Sequence, residues 1–345
     1  MTAKSTVFPF VTSTPVSVNR TYCEVNTHFR YQFLPVVYII VFTIGFLGNC
    51  WVLGSMCLNR SKSTNITVFL FNLGLADLLY VITLPFLVVY YANKGLWFFG
   101  KVFCRITRLV FHLNLYGSIG FLTCISVQRY LGIVHPMKMM GRWKRRHAVL
   151  ISVLVWGLVL TQTSVDLYFT KTNTDGTKCH DTTVNEQLQN YIKYNLSLSV
   201  IAFLIPLLII LGCYSHVIIV LIRKNSADLR DRCLKLVLIV TVLFSLCFTP
   251  YHFLRNANLI SRYLQVQGQC NQTFKNIYLI YQVSRALASF NSCINPLVYF
   301  LAGDDMRTRI GKLGKKVNRS LSSVVNYQRS CQQRRTFSDL YSSTM

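Results

Sequence analysis

The sequence predicts an all-α fold of seven membrane-spanning helices, and three observations carry that reading. Of its 345 residues, 52% are hydrophobic and only 14% charged, with a mean hydropathy of +0.39, more apolar and poorer in charge than soluble domains are. Seven apolar runs follow one another, at roughly 34–58, 68–91, 102–134, 148–169, 194–222, 234–260 and 277–301. Each exceeds the ~20 residues a helix needs to cross ~30 Å of hydrocarbon. The basic residues, finally, gather beside alternate run ends. Strands are excluded because an open sheet edge in lipid leaves backbone groups unpaired.

Taken in order, the runs carry few polar residues, each of which needs a reason. The first holds Asn49, and the second holds Asp77, a carboxylate near mid-membrane that is costly unless hydrogen-bonded or ion-paired. The third tolerates Arg108, His112, Asn114 and Arg129; the fourth holds Trp156. Pro206, Pro250 and Pro296 interrupt runs five, six and seven, free backbone carbonyls and mark hinges.

Orientation follows from Lys138, Arg142, Lys144, Arg145 and Arg146 after run three, from Arg223, Lys224, Arg230, Arg232 and Lys235 after run five, and from the basic tail. These stretches face the cytoplasm by the positive-inside rule. The net charge of +25 is therefore a topology signal and an attraction to anionic membrane lipid, not a nucleic-acid footprint. No cleavable signal precedes run one, which is expected to act as the signal anchor. Asn19 and Asn271 begin N-x-T acceptors for glycosylation on the outer side. Of 12 cysteines, Cys23, Cys104, Cys179 and Cys270 fall outside, where an oxidising milieu favours two disulfides in any of three pairings. Neither a zinc motif nor any other cofactor signature is present.

Charge spacing points to a ligand. Arg285 lies ten residues before Asn295, about 15 Å along a helix, hence in the outer third. Gln282 shares its face, and Tyr278 and Tyr281 complete that turn. Arg108, His112 and Tyr116 recur every four residues on run three, and His252, Arg255 and Asn258 every three to four on run six.

A set of marks then matches one family in register: GFLGN with Asn49, LGLADLL with Asp77, QRY with Arg129, Trp156, Pro206 with Tyr214, CFTP with Pro250, and NPLVY from Asn295 to Tyr299. Over about residues 30–312 the chain resembles the rhodopsin-like (class A) G-protein-coupled receptors. The resemblance implies a division into an extracellular segment 1–32, a seven-helix receptor domain 33–302, an amphipathic cytoplasmic helix 303–316 and a disordered tail 317–345. It pairs Cys104 with Cys179 and leaves Cys23 for Cys270. It gathers Asn49, Asp77, Asn295, Pro296 and Tyr299 in an activation network with a sodium ion at Asp77, and assigns Arg129 and Tyr214 to G-protein coupling. Gln128 stands where the family has an acid, implying basal activity, and Phe248 where it has tryptophan.

In that fold, runs three, six and seven face one outer vestibule, so three arginines crowd together. Without an anion to neutralise them they would repel one another, so the implied ligand is a small, multiply charged anion gripped by the guanidinium fork; the counter-charge of Arg285 is then not another helix but that ligand, with Asp181 of the second outer loop as a stand-in. The stretches at 108–118, 179–183, 252–259 and 281–289 are similar to the metabotropic purinoceptors for nucleotides, above all the ADP-responsive ones. That likeness implies that Arg108, Arg255 and Arg285 clamp phosphates, helped by Gln282, Tyr278 and Tyr281, while Asn258 and Arg262 lie near the base. Signalling through a phospholipase C-activating G protein and calcium is implied with it. Arg255 replaces a lysine of the ADP-responsive receptors, and receptors for succinate or oxoglutarate carry related arginine sets, so a dicarboxylate is the alternative ligand. An enzyme is excluded for want of a phosphate loop, nucleophile elbow or acid–base pair; a transporter or channel is disfavoured by the absence of internal repeats. In the tail, RRTFS at 334–338 suits a basophilic kinase and, through it, arrestin, and the terminal Ser343-Thr344-Met345 suits a PDZ domain.

Overall fold

The computed structural model describes residues 28–58, 64–139, 143–169, 179, 183–224 and 239–302. Helix α1 is His28–Leu58, α2 Asn65–Ala92, α3 Gly100–Val134 and α4 Arg145–Phe169. Helix α5 covers 188–224 as Leu188–Leu198, a π-helical turn Ser199–Leu204, and Ile205–Lys224. Helix α6 covers 239–266, with a π-helical turn Leu243–Phe248 before Thr249–Val266, and α7 is Gln272–Ala302. The N-terminal segment before His28 and the stretches 303–316 and 317–345 lie outside the described residues.

Both π-helical turns sit just before a proline, Pro206 or Pro250. A proline ring clashes with the carbonyl one turn earlier and donates nothing to it, and widening the turn relieves the clash. At the second site the Thr249 hydroxyl donates to the Phe244 carbonyl at 2.8 Å. Sequence reading thus located these two interruptions, but at the third proline it named, Pro296, α7 continues as one α-helix from Gln272 to Ala302.

Helices α1, α2 and α7 pack together, and α3 lies against α2, α4 and α5. Side-chain hydrogen bonds pin these contacts: Trp156 Nε1 to Asn72 Oδ1 at 2.9 Å joins α4 to α2, and Tyr80 Oη with Ser289 Oγ at 2.7 Å joins α2 to α7. Outward-facing side chains are apolar, among them Ile40, Ile44, Leu47 and Trp51 on α1 and Val153, Leu154 and Leu158 on α4, as lipid requires. Helices α1 to α5 are long and apolar enough to cross a bilayer by composition alone. The outer turns of α6 and α7 carry Arg255, Arg262, Lys275 and Arg285, which lowers their hydropathy.

Four helices project farther outward than the apolar runs, by five or six residues: α1 starts at His28, α5 at Leu188 and α7 at Gln272, while α6 continues to Val266. That is about 8–9 Å of extra wall at each. These turns are polar, so a count of apolar residues misses them. Arg30 on α1 donates to Tyr278 Oη on α7 at 3.1 Å, and Arg262 on α6 to Asn185 Oδ1 at 2.7 Å, bonds that hold the turns at the interface. The first outer loop is anchored by Trp97, buried among Tyr90, Phe99 and Phe103 and bonded through Nε1 to the Gly100 carbonyl at 2.7 Å.

Helices α3 and α4 meet at Gly120, where a Cβ would lie 2.9 Å from Val155 Cγ1, whereas at Gly157 nothing comes within 4 Å. Gly120→Ala should lower the melting temperature of the solubilised protein, at a cost of about 1–3 kcal/mol. Gly157→Ala should leave it unchanged or raise it through helix propensity.

Candidate functional site

Polar side chains inside the bundle form two layers. The inner one centres on Asp77 of α2. Its Oδ1 accepts from Asn114 Nδ2 at 2.8 Å and Ser292 Oγ at 2.9 Å, and its Oδ2 from Asn295 Nδ2 at 2.8 Å. Asn49 joins at one remove: its amide donates to the Gly45 carbonyl at 2.8 Å and to the Ser292 carbonyl at 2.9 Å. Asn114 and Ser292 are thus members that the sequence reading left out, although each lies a helical turn or less from a residue it named. Tyr299 is fully buried, and its hydroxyl rests where a Cβ on Gly74 would come within 2.8 Å.

Ser118, one turn beyond Asn114, and Asn291, one turn before Asn295, have buried side-chain oxygens with no hydrogen-bond partner, as has Asn295 Oδ1. A carboxylate on a layer that also holds these unpartnered hydroxyl and amide oxygens offers hard oxygen donors, which suit an alkali or alkaline-earth cation rather than a soft transition metal. Among the described residues no three His, Cys, Asp or Glu side chains could share a metal.

The outer layer is built from the projecting turns. Arg108 of α3 donates to the Cys179 carbonyl at 3.3 Å, which also accepts from Tyr90 Oη at 3.0 Å. That carbonyl is held in place by the Cys104–Cys179 disulfide, Cα–Cα 5.8 Å. Arg285 of α7 lies over the rings of Tyr91, at 5.8 Å, and Phe111, at 5.9 Å, within the range where a cation gains from a ring face. Arg255 of α6 lies 5.8 Å over the Tyr251 ring and donates to its hydroxyl at 3.2 Å. Tyr251 in turn packs on Phe111 at 5.8 Å and on Tyr281 at 6.2 Å. The Tyr251 and Phe111 rings, packed on one another, thus link Arg255 to Arg285.

For Arg255 the fold adds a partner that the sequence reading did not name. A helix does supply a counter-charge, because Asp166 of α4 reaches Arg255 Nη2 at 3.5 Å through Oδ1 and His112 Nδ1 at 2.8 Å through Oδ2. Tyr191 of α5 bridges the pair: it accepts from Arg255 Nη2 at 2.6 Å and donates to Asp166 Oδ1 at 3.0 Å. Neither Asp166 nor Tyr191 was singled out from the sequence. Asp166 is ten residues past Trp156, the same interval that separates Arg285 from Asn295, and that count was the available signal.

The remaining expected residues fall around this layer. Tyr116 stacks on His112 at 6.1 Å, and His252 on Phe203 at 4.5 Å. Gln282 is buried, Asn258 is half-buried, and Arg262 and Tyr278 lie farther out with the partners given above. Asp181, Cys23 and Asn19 are outside the described residues. Cys270 takes part in a disulfide. Asn271 is exposed, and its side-chain oxygen accepts from the Thr273 amide at 3.0 Å. At the cytoplasmic end Tyr214 pairs with Ser126 at 2.7 Å, while Arg129 is half-buried.

Comparison with known proteins places this geometry. The family described as 7 transmembrane receptor (rhodopsin family) matches residues 48–299. Three relatives are purinoceptors of the Y class. The chain is 44% identical over 300 residues to purinoceptor 1 of Gallus gallus, covering 85% of this chain and 83% of that protein. Against purinoceptor 1 of Homo sapiens it is 44% identical over 300 residues, 85% and 80% of the two chains. Against purinoceptor 4 of Xenopus laevis it is 38% identical over 297 residues, 84% and 55%.

The inner layer is testable by melting the solubilised protein. Asp77→Ala leaves three donors without their acceptor and should cost at least about 3 kcal/mol. Exchanging choline chloride for sodium chloride should raise the melting temperature of the wild type and not that of Asp77→Asn.

Proposed function

Because this chain belongs to the rhodopsin family of seven-transmembrane receptors, and so is a multi-pass plasma-membrane protein and not an enzyme, we propose that its outer layer binds an extracellular nucleotide and passes the event to a heterotrimeric G protein. One observation carries the reading: Arg108, Arg255 and Arg285 are buried on α3, α6 and α7, with the Tyr251 and Phe111 rings packed between Arg255 and Arg285. Arginine is the side chain for phosphate oxygens, which it grips through two parallel, charge-assisted hydrogen bonds. The rings offer faces for a base or ribose and keep the guanidiniums out of bulk water, where each bond to phosphate is weaker. The names of the related purinoceptors support the nucleotide class.

Within that class the ligand is ADP-like. Gln282, Tyr278 and Tyr281 assist the phosphate grip, His112, Tyr116 and His252 line the floor, and Asn258 and Arg262 meet the base, with Asp181 as a loop contact. Binding favours the state in which the outer ends of α3, α6 and α7 approach one another, a shift in population whose size is the ligand's differential affinity for the two states. The inner segments beyond the π-helical turns then rearrange, and Arg129, Tyr214 and Tyr299 present the face that takes the G protein. Coupling runs through the phospholipase C-activating class, with calcium as the readout. Asn19 and Asn271 carry glycans, Cys23 joins Cys270, residues 303–316 form a cytoplasmic helix, and the tail 317–345 recruits arrestin and a PDZ protein.

Transfected cells exposed to ADP, ATP, UDP, UTP, succinate and oxoglutarate should release calcium to nucleotides and most potently to ADP. A response confined to the dicarboxylates would overturn the reading. Arg285→Ala, at unchanged surface expression, should lose about 2–3 kcal/mol of ligand interaction, roughly 30- to 150-fold in potency. Arg285→Lys should recover part of it, since a point charge replaces a fork.

A further inference from the structure

Asp166 enters neither the phosphate grip nor the inner network, yet it is buried to 5% exposure in contact with Arg255 at 2% and His112 at 4%. Four helices contribute to this cluster: His112 from α3, Asp166 from α4, Tyr191 from α5 and Arg255 from α6. A carboxylate in such a place is retained at the expense of its hydration, and it alters the charge of everything nearby. Its separation from Arg255, 3.5 Å, is too long for a charge-assisted hydrogen bond. The Tyr191 hydroxyl closes the gap instead, accepting from the guanidinium and donating to the carboxylate. Asp166 therefore compensates the charge of Arg255 and fixes its orientation without occupying the whole fork.

We propose that Asp166 is a positioning residue that sets how many negative charges the outer site accepts. Three guanidiniums less one carboxylate leave a surplus of two positive charges facing the ligand. Each negative charge of a polyphosphate beyond the number this surplus neutralises is left without a counter-charge in a buried site and is disfavoured there. The carboxylate also repels the ligand directly, and the repulsion grows with ligand charge because little water lies between to screen it. Two relatives of the same ligand that differ by one phosphate are thereby told apart by a residue that touches neither. The inference rests on the nucleotide reading above and deepens it.

The test is the potency ratio of ADP to ATP, read by calcium release, in the wild type, Asp166→Asn and Tyr191→Phe at matched surface expression. Removing the charge should move the ratio toward ATP by about tenfold or more. Tyr191→Phe, which loosens the tie to Arg255 but keeps the carboxylate, should leave the ratio close to that of the wild type. A cluster that merely holds four helices together would change both potencies alike, so an unchanged ratio in Asp166→Asn overturns the proposal. Should that variant not reach the surface, competition of ADP and of ATP against a radiolabelled nucleotide on total cell membranes decides, a shift of their affinity ratio toward ATP supporting the proposal and an unchanged ratio overturning it. Silence of the wild type toward both nucleotides is a separate result, which defeats the nucleotide reading and this inference with it.

Discussion

Charge held inside a hydrocarbon slab must find its compensation within the protein, and this constraint organises the molecule. Water is not there to solvate Asp77, Asp166, Arg108, Arg255 or Arg285, so each must sit where neighbouring helices bring donors, acceptors or ring faces to it. The helices cannot slide independently without stripping those partners. Asp77 ties α2 to α3 and α7 through Asn114, Ser292 and Asn295. Asp166 ties α4 to α3, α5 and α6 through His112, Tyr191 and Arg255. Lipid supplies no hydrophobic force between helices, and these two carboxylates give the bundle much of its register.

The two layers are joined by helices that are built to bend. Above the π-helical turn of α6 stand His252 and Arg255; within it lie Phe244 and Phe248, packed on one another at 5.2 Å. Helix α5 repeats the arrangement, with Tyr191 and Asn195 above its wide turn and Tyr214 below. A chain of side-chain bonds, Asn195 to Asn256 at 2.6 Å and Asn256 to Ser199 at 2.9 Å, links the start of the wide turn in α5 to α6 about two turns above its own. A pull on Arg255, next to Asn256 in the chain, is thus felt on α5 at the start of its irregular turn. That is a physical basis for carrying an event from the outer layer inward, since packed interfaces rearrange between discrete states and do not deform smoothly.

Much of this was legible in the sequence because membrane physics writes in long runs. Seven apolar stretches gave the number of the helices, and Pro206 and Pro250 marked where α5 and α6 widen, although α7 runs unbroken through Pro296. Two things were not legible. The outer turns of α1, α5, α6 and α7 are polar and held by cross-helix bonds such as Arg30 to Tyr278, so hydropathy ends the helices too soon. Asp166 shares a helix with no other buried charge and belongs to no repeating stripe; its meaning lies in His112, Tyr191 and Arg255, which are 54 residues before it and 25 and 89 after it. Helical periodicity reports neighbours on one helix and is silent about those across a bundle.

A site that recognises phosphate through guanidiniums makes a demand on affinity that can be measured without any signalling step. Membranes carrying the wild-type protein should bind a radiolabelled nucleoside diphosphate saturably, and unlabelled competitors should displace it in the order of their phosphate content from adenosine through AMP to ADP. Adenosine competing as well as ADP would contradict it, because the arginine layer would then contribute nothing to recognition.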